Sequence, residues 1–422
     1  MEELKFGTDG VRAIADGRLE EAAYNLGRAV RGNVILGRDT RVSGERLAYI
    51  FSQGAADAGA RVTYAGIMPT AGVAYLTKSR GADFGVVISA SHNPPEYNGI
   101  KVFSSNGTKP CEEEENRLGA ALRERFERKN APLTLVADAG AREEYINFLC
   151  SAGERLDGMD LALDCANGAA SVIAPEVFAR LGANIRAVGV NTGGADINDG
   201  CGALHIDSLK RRCPGKFDIY MAFDGDSDRL MALDGEGNIL DGDRIMYIIA
   251  ALTMQKGEKI PCAVGTVLSN GGTEEAFAKL GVKFLRAKVG DKYVKRLMDG
   301  CGAPMGGEQS GHIILSKYAG TGDGILTAVV LASLLKGKSA QEFSYPLYPQ
   351  YEESVAVSDK SVAASPEVAA LVQKWTARGV RVLVRPSGTE EKVRIMTECR
   401  DKSAAEGAMA EIRKATENAA KA

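Results

Sequence analysis

The sequence predicts an α/β protein of several domains, with a smaller α+β domain at its C-terminal end. A chain of 422 residues is too long for one hydrophobic core. Short runs rich in β-branched residues repeatedly end in a glycine-rich or polar loop, and an amphipathic helix often follows. Because this alternation is typical of strand–helix units, we expect mostly parallel sheets, with ligands bound in loops beyond the carboxyl ends of the strands.

The strands that carry this pattern lie in the first two thirds of the chain. They are predicted at residues 33–37, 85–88, 161–164, 219–223 and 263–268, with helices near 174–181 and 274–280. Polar segments follow these strands, among them 38–41, 89–93 and 224–229. These strand-end loops are therefore the first places to look for a site.

The last stretch of the chain has a different pattern. Strands at 380–384 and 392–396 flank a tight loop, and a helix near 403–419 follows, which predicts a small α+β domain. The proline-containing segment 345–349 is a predicted linker. With softer boundaries near Gly140 and Gly237, we expect four domains, at residues 1–139, 140–238, 239–342 and 343–422.

Composition excludes several classes of protein. The formal net charge of -3 argues against nucleic-acid binding by bulk electrostatics. No apolar run is long enough to span a bilayer, and the first residues do not have the pattern of a signal peptide. The eight cysteines show no C-x-x-C spacing, so we expect reduced thiols and a cytoplasmic location. The sequence leaves the oligomeric state open between a monomer and a homodimer.

Three carboxylates follow the apolar strand 219–223 at alternate positions, as Asp224, Asp226 and Asp228. A loop can curl so that alternate side chains converge on one cation, and carboxylate oxygens suit Mg²⁺. An acidic surface turn is the alternative, but a turn does not need three acids directly after a buried strand. A calcium EF-hand is excluded, because its sixth and twelfth positions would be Arg229 and Gly235. Arg229 could orient a phosphate or hold a carboxylate.

Ser91 lies in the segment 89–95, Ser-Ala-Ser-His-Asn-Pro-Pro, at the end of a predicted strand. A serine there is placed as a nucleophile or phosphoryl acceptor, and His92 and Lys101 are candidates for proton transfer. The alternative is that Ser91 only caps a turn, and for this segment alone that alternative is the stronger. A Ser-His-Asp hydrolase is less suited, since no G-x-S-x-G elbow surrounds Ser91 and His92 adjoins it.

Further segments are suited to binding a sugar phosphate. The glycine-flanked loop 306–312 contains Glu308, Ser310 and His312, whose side chains can bind hydroxyl groups. The loop 385–389 offers a guanidinium, two hydroxyls and backbone N–H groups that suit a phosphate, and Arg394 could join it across the hairpin. Arg12 and Lys288 are basic candidates that could equally be solvated charges.

Taken together and in this order, these segments resemble the α-D-phosphohexomutases. The resemblance runs from Phe6 to Met396, and it includes the S-x-S-H-N-P, D-G-D-x-D-R, G-E-x-S-G-H and R-P-S-G-T segments. It implies three related α/β domains and a smaller C-terminal domain around a central cleft. Ser91 would then bear a transferable phosphate, and a phosphoserine oxygen would join the three aspartates in binding one Mg²⁺.

The resemblance also implies roles for the remaining candidates. His92 and Lys101 would assist proton transfer, with Arg12 in the same reacting group. The substrate-binding residues would bind sugar hydroxyls, bind the second phosphate or line the cleft. They are Arg229, Lys288, Glu308, Ser310, His312, Arg385, Ser387, Gly388, Thr389 and Arg394.

The implied reaction is an isomerisation by phosphoryl transfer. Phosphoserine gives its phosphate to a sugar phosphate, and the resulting 1,6-bisphosphate, which also serves as activator, turns around and returns its other phosphate to Ser91. Gln309 and the segment 286–291 are similar to a bacterial branch that acts on glucosamine phosphates, which implies interconversion of glucosamine 6-phosphate and glucosamine 1-phosphate in cell-wall precursor synthesis. The alternatives are a mutase of mannose or glucose phosphates, a metal-dependent phosphatase, and a non-catalytic sugar-phosphate-binding protein.

The sequence departs from the family pattern in places. Ser227 stands inside the D-G-D-x-D-R segment where the family often has glycine. If that position requires a positive φ, its side chain costs roughly 1–2 kcal/mol. Ala13 replaces a usual glycine after Arg12. Neither change removes a catalytic group.

Overall fold

The computed structural model describes residues 4–7, 9–124, 126, 128, 133–388 and 391–421. The chain divides into two compact units. The first contains Met1–Val267 and Val282–Phe343, and the second contains Leu268–Gly281 and Ser344–Ala422. The short segment Leu268–Gly281 therefore groups with the C-terminal residues rather than with its sequence neighbours. The four domain boundaries expected from the sequence stay predictions.

The first sheet of the first unit has the strand order β1-β5-β4-β2-β3. Strands β2 and β3 and strands β2 and β4 pair in parallel, whereas β5 pairs antiparallel with both β4 and β1. The strands are β1 Val11–Ile14, β2 Asn33–Arg38, β3 Arg61–Ile67, β4 Phe84–Ile88 and β5 Tyr97–Ser104. The helices of this part are α1 Gly17–Ala29, α2 Gly44–Asp57, α3 Thr70–Ser79 and α4 Glu112–Ala121.

The second sheet has the order β10-β9-β8-β6-β7, and in it β6 pairs in parallel with both β8 and β7. The strands are β6 Asp160–Asp164, β7 Asn184–Val188, β8 Ile219–Phe223, β9 Leu230–Asp234 and β10 Ile239–Leu240. The helices are α5 Ala139–Ser151, α6 Ala174–Arg180 and α7 Ile206–Arg212. Strand β9 turns back antiparallel to β8, so the short loop between them lies at one edge of the sheet.

The third sheet has the order β12-β11-β13-β14, with β13 and β14 antiparallel. Its strands are β11 Cys262–Thr266, β12 Lys283–Ala287, β13 Met305–Gly307 and β14 Ile313–Leu315, and its helices are α8 Gly242–Gln255, α10 Asp291–Cys301 and α11 Gly324–Leu335. The helix α9, Gly271–Lys279, belongs to the second unit.

These three sheets confirm the predicted α/β class, but the expectation of mostly parallel sheet was wrong for one side of each sheet. Each sheet is parallel on the side that ends in β3, β7 or β12 and antiparallel on the other side. The reason is the length of the connections. Residues 89–96 join β4 to β5 and residues 224–229 join β8 to β9, and so few residues cannot make the crossover that parallel neighbours require.

Helix α11 connects the core of the first unit to the loop that joins β8 to β9. It is apolar all round and almost fully buried, and it contacts strands β8, β9 and β14 and helices α5 and α8. The side chain of Asp323 caps its first turn by accepting from Leu326 N, and Gly324 N donates to Ser227 O at 3.0 Å. The buried helix is thus joined to the loop that follows β8.

The second unit confirms the predicted C-terminal α+β domain. A three-stranded antiparallel sheet, in the order β15-β17-β16, is covered by helices, with Trp375 and Ile412 in its core. The elements are β15 Gln350–Ala356, α12 Pro366–Thr376, β16 Arg381–Pro386, β17 Lys392–Glu398 and α13 Lys402–Ala419. The predicted linker, 345–349, has no regular structure.

Helices α1 and α2 approach each other closely because glycines face each other at their contact. A Cβ atom on Gly54 would overlap the carbonyl oxygen of Tyr24, and one on Gly27 would overlap that of Phe51. We therefore expect Gly54→Ala to destabilise the protein by about 1–3 kcal/mol, because overpacking outweighs the better helix propensity of alanine. Urea unfolding would measure this difference.

Gly17→Ala is the matched control. Gly17 is the first residue of α1 and is exposed, and a Cβ atom added to it would have no neighbour within 4 Å, so alanine should be neutral or slightly stabilising there. Equal unfolding midpoints for the Gly54 and Gly17 variants would contradict the close approach of the two helices.

Candidate active site

The loop between β4 and β5 places Ser91 in a buried and unusual conformation. Ser91 is 1% exposed and has a φ of 53°, in the left-handed region. A residue with a Cβ atom adopts that region at a cost of roughly 1–2 kcal/mol, so its surroundings must hold it there. In this conformation the Ser91 hydroxyl donates to Oδ2 of Asp224 at 2.7 Å. The candidate nucleophile thus contacts the candidate metal loop directly.

His92 and Arg12 lie beside the same loop. Nδ1 of His92 is 3.5 Å from Oγ of Ser91, and Nη1 of Arg12, on β1, is 3.4 Å from Oδ1 of Asn93. Burial, together with the positive charges of Arg229 and Arg12, lowers the pKa of His92 to about 4. His92 is therefore neutral at pH 7.

The metal loop follows β8, and the structure brings its three aspartates together. Oxygen atoms of Asp224, Asp226 and Asp228 all lie within 4.8 Å of one another, and the three residues are buried. Oδ1 of Asp226 and Oδ1 of Asp228 are buried and have no hydrogen-bond donor in the part of the chain that the structure describes. Buried carboxylate oxygens without donors suit a hard divalent cation, so the donor set fits a metal ion.

The charges of this loop influence one another strongly. Burial raises the pKa of Asp224 to about 7, and the neighbouring Asp228 and Asp226 carboxylates add to that effect. Burial acts in the same direction on Asp228, but the charges of Lys101 and His312 outweigh it and hold the pKa of Asp228 well below its usual value. Positive charge beside Asp228 therefore keeps that carboxylate ionised, whereas burial and like charge favour the neutral form of Asp224.

Lys101 and Thr70 both contact Asp226. Lys101 is buried on β5, and its Nζ is 2.5 Å from Oδ2 of Asp226 and 3.2 Å from Oδ2 of Asp228. Thr70, the first residue of α3, donates its hydroxyl to the same Asp226 oxygen and its N–H to Asp226 O at 3.0 Å. Sequence reasoning missed Thr70, because its partner lies far along the chain.

The loop between β13 and β14 holds the predicted sugar-binding residues in a tight turn, in which Gly311 N donates to Glu308 O at 2.9 Å. Oε1 of Glu308 accepts from Gly290 N at 2.9 Å, and Ser310 is exposed. The side chain of His312 lies against the metal loop, where its Nδ1 is 3.6 Å from Oδ1 of Asp228. The structure therefore groups His312 with the metal loop.

Asp228 and Asp291 together explain the charge state of His312. Nε2 of His312 is 3.4 Å from Oδ2 of Asp291, the first residue of α10. Burial would lower the pKa of His312, but Asp228 and Asp291 outweigh it and raise that pKa to about 9. Asp291 was within a segment noted in the sequence, but nothing there indicated that it would meet a histidine.

Arg229 and Lys288 differ in their surroundings. Arg229 N donates to Oδ1 of Asp224 at 3.2 Å, and Nε of Arg229 is 3.9 Å from Oδ1 of Asp228, so this residue belongs to the metal loop. Lys288 follows β12, and its ammonium lies over the ring of Tyr293, 6.0 Å from the centroid. The structure places Lys288 in the first unit without a described contact to the three aspartates.

The residues predicted to hold the second phosphate lie in the second unit. Arg385 and Arg394 are directly opposite each other on β16 and β17, and both line a cavity of about 260 Å³. Guanidinium groups can bind a phosphate through paired N–H donors. Ser387 is buried, and Gly388 has open space around it. Thr389 lies outside the described residues.

Comparisons with known proteins agree with this arrangement. The phosphoglucomutase/phosphomannomutase models match as α/β/α domain I at residues 3–129, α/β/α domain III at 241–351 and the C-terminal domain at 352–415. Together they cover more than half of the chain. The chain belongs to the phosphoglucomutase/phosphomannomutase family, as its resemblance to the phosphohexomutases predicted.

Curated relatives are similar along almost the whole chain. Phosphoglucosamine mutase of Moorella thermoacetica is 43% identical, over 97% of this chain and 98% of that protein. Phosphoglucosamine mutase of Bacillus subtilis is 41% identical, over 94% of each.

Solved structures show the same fold at lower identity. A family member from Burkholderia thailandensis has a TM-score of 0.79 at 22% identity, covering 98% of this chain and 97% of that one. N-acetylphosphoglucosamine mutase of Aspergillus fumigatus, solved with GlcNAc-6P and magnesium, has a TM-score of 0.74 at 20% identity, covering 99% and 96%. Over the described residues, no helix combines the length and the apolar character needed to cross a membrane.

Ser227 has the positive φ at which a side chain costs conformational free energy. Its φ is 62°, and its buried hydroxyl has no hydrogen-bond partner among the described residues. We expect Ser227→Gly to stabilise the protein by about 1 kcal/mol, because glycine adopts this φ without a Cβ penalty and the orphaned hydroxyl is removed. The free energy of unfolding in urea would measure the gain.

Ser227→Ala separates the two contributions, since alanine removes the hydroxyl but keeps the strained φ. The glycine variant should be the more stable of the two. If alanine stabilises as much as glycine, the left-handed backbone at residue 227 carries no cost.

Proposed function

We propose that this protein is a phosphoglucosamine mutase, an isomerase that interconverts glucosamine 6-phosphate and glucosamine 1-phosphate through a phosphate on Ser91. The observation that carries the proposal is the buried Ser91 hydroxyl, 2.7 Å from Asp224 and beside three converging carboxylates. The 43% and 41% identity to proteins named phosphoglucosamine mutase supports the substrate. A mutase of mannose or glucose phosphates would use the same residues and differ only in substrate.

Phosphorylated Ser91 is the group that gives and takes the phosphoryl. In the transfer to substrate, the Oγ–P bond of Ser91 breaks as a sugar hydroxyl oxygen bonds to phosphorus, and the hydroxyl proton leaves. His92, whose Nδ1 is 3.5 Å from Oγ of Ser91, would assist this proton transfer. The regenerated Ser91 oxygen then receives the other phosphate of the bisphosphate in the second half of the reaction.

Asp224, Asp226 and Asp228, with an oxygen of phosphorylated Ser91, would hold one Mg²⁺, which when bound neutralises charge on the transferring group. Lys101 and His312 place two further positive charges against Asp226 and Asp228. These charges hold the pKa of Asp228 well below its usual value, and so keep that carboxylate able to bind a cation.

The remaining predicted residues would bind the part of the sugar phosphate that does not react. Glu308 and Ser310 would bind sugar hydroxyls, and Arg229, Arg12 and Lys288 would bind or orient phosphate. In the second unit, Arg385 and Arg394 line one cavity, and with Ser387, Gly388 and Thr389 they would hold the second phosphate. That pocket must accept either end of the sugar, since the bisphosphate reacts in two orientations.

All eight cysteines are free, which fits the cytoplasmic location predicted from the sequence. The choice between monomer and homodimer stays a prediction.

Purified protein with Mg²⁺ and glucose 1,6-bisphosphate should convert glucosamine 6-phosphate to glucosamine 1-phosphate faster than it converts mannose or glucose 6-phosphate. Ser91→Ala should reduce turnover at least 10³-fold, because no phosphate carrier remains. Mass spectrometry of the intact wild-type protein should find one added phosphate, which Ser91→Ala should lack. Ser79→Ala, at an exposed serine of α3, should change neither. Faster turnover of a mannose or glucose phosphate would assign the substrate to those sugars, and net phosphate release without isomerisation would indicate a phosphatase.

Asp226→Asn should weaken Mg²⁺ binding to the free protein at least ten-fold, because a neutral amide replaces a carboxylate that has an unpaired buried oxygen. Isothermal titration calorimetry measures this without any turnover. Asp157→Asn, at an exposed aspartate paired with Arg155, is the control and should leave the affinity unchanged. Equal Mg²⁺ affinity of the two variants would remove the metal site from the proposal.

A further inference from the structure

A fully buried arginine holds the loop that contains Ser91. Arg41 lies after β2, and its guanidinium donates to four backbone carbonyls of the segment 91–97. Nη2 is 2.9 Å from Ser91 O and 2.7 Å from Asn93 O, and Nη1 is 2.8 Å from Tyr97 O and also contacts Pro94 O. With Nε on Asp39, every N–H of the guanidinium is used.

Asp39 fixes the arginine in turn. Its side chain is fully buried and accepts from Arg41 Nε at 3.0 Å, from Arg41 N at 3.0 Å and from the Ser89 hydroxyl at 2.6 Å. Oγ of Ser89 also accepts from Ser91 N at 2.9 Å. The N–H and the carbonyl of Ser91 are therefore both tied to the Asp39–Arg41 pair.

Asn198 reaches the same carbonyls from the second sheet. It lies in the loop after β7 with a φ of 61°, and its Nδ2 is 2.9 Å from Ser91 O and 3.1 Å from Asn93 O. Two side chains from different α/β parts of the chain thus converge on the same two oxygens. A turn that needed only stability would not require donors from both.

We propose that Arg41 and Asn198 form a carbonyl clamp, a pair of positioning residues that hold Ser91 in its left-handed conformation with the hydroxyl aimed at Asp224. The inference rests on the proposed function, in which Ser91 carries the phosphate. Neither residue contacts the three aspartates in the described structure; both act through the Ser91 backbone. A loop freed from the clamp would relax toward negative φ and turn the hydroxyl away, and a misplacement of about 1 Å can slow a reaction about 10²-fold.

Two variants test the clamp. Arg41→Lys keeps the charge beside Asp39 but cannot reproduce the planar set of donors. Asn198→Gly removes the amide, while glycine adopts a φ of 61° without strain, so the backbone of that loop is kept. Arg28→Lys is the matched control. Arg28 lies on helix α1, and its guanidinium also donates to a backbone carbonyl, Asp57 O at 2.7 Å, but this contact is outside the serine loop.

The experiment measures kcat, KM for glucosamine 6-phosphate, the melting temperature and the phosphate content of the intact protein. We expect Arg41→Lys and Asn198→Gly each to lower kcat at least ten-fold with KM within two-fold of wild type, and Arg28→Lys to change kcat less than two-fold. Samples are assayed well below their melting temperatures, so loss of folded protein does not enter. If Arg41→Lys is insoluble, the kcat and KM of Asn198→Gly alone test the proposed clamp.

The outcomes separate the two proposals. Wild type that carries phosphate on Ser91 and turns over, with clamp variants within two-fold of its kcat, overturns the clamp and leaves the proposed function intact. A kcat loss shared equally by Arg28→Lys also overturns it, because the effect would then be general. Wild type without phosphate on Ser91 and without turnover overturns the proposed function, and the clamp falls with it.

Discussion

Three buried carboxylates whose oxygens lie within 4.8 Å of one another cannot all be negative unless positive charge surrounds them. Several parts of the first unit supply this positive charge. Lys101 comes from β5, His312 from the loop before β14, and Arg229 from the metal loop itself. The pKa of Asp224, raised to about 7 by burial and by its two neighbours, shows that these fixed charges do not fully satisfy the loop. A divalent cation would supply the missing charge, and the three buried aspartates are able to bind one.

The mixed sheets are what bring these groups together. Because β5 returns antiparallel to β4 after only a short loop, Lys101 lies close to the serine loop that precedes it. The same reversal after β8 makes the metal loop a tight connection, and the buried helix α11 supports it through the Gly324 N–H on Ser227 O. The parallel strands place their carboxyl ends together, and the antiparallel strand β5 adds Lys101, whose charge lies against Asp226 and Asp228.

The sequence predicted what is local in this arrangement. Strands at 219–223 and 85–88, and the polar loops after them, follow from short apolar runs ending in acids and small residues, and the structure has these elements. Contacts across the chain were not predictable. Thr70 meets Asp226, His312 meets Asp228, and Asn198 meets Ser91, yet each partner is far away in sequence and each residue type is common in ordinary turns. Only the order of several loops, compared with a known family, indicated that Ser91 was more than a turn cap.

Both loops that meet at the site contain a serine in the left-handed region, but the two are held differently. Ser91 is tied at its N–H by Ser89 and at its carbonyl by Arg41 and Asn198, and its hydroxyl has a partner in Asp224. Ser227 has backbone partners, while its buried hydroxyl has none among the described residues. Strain at Ser91 is therefore offset by contacts that also aim its hydroxyl, whereas the strain at Ser227 has no such compensation. Glycine would serve the backbone at 227 as well or better, but at 91 it would remove the oxygen on which the proposed phosphoryl transfer depends.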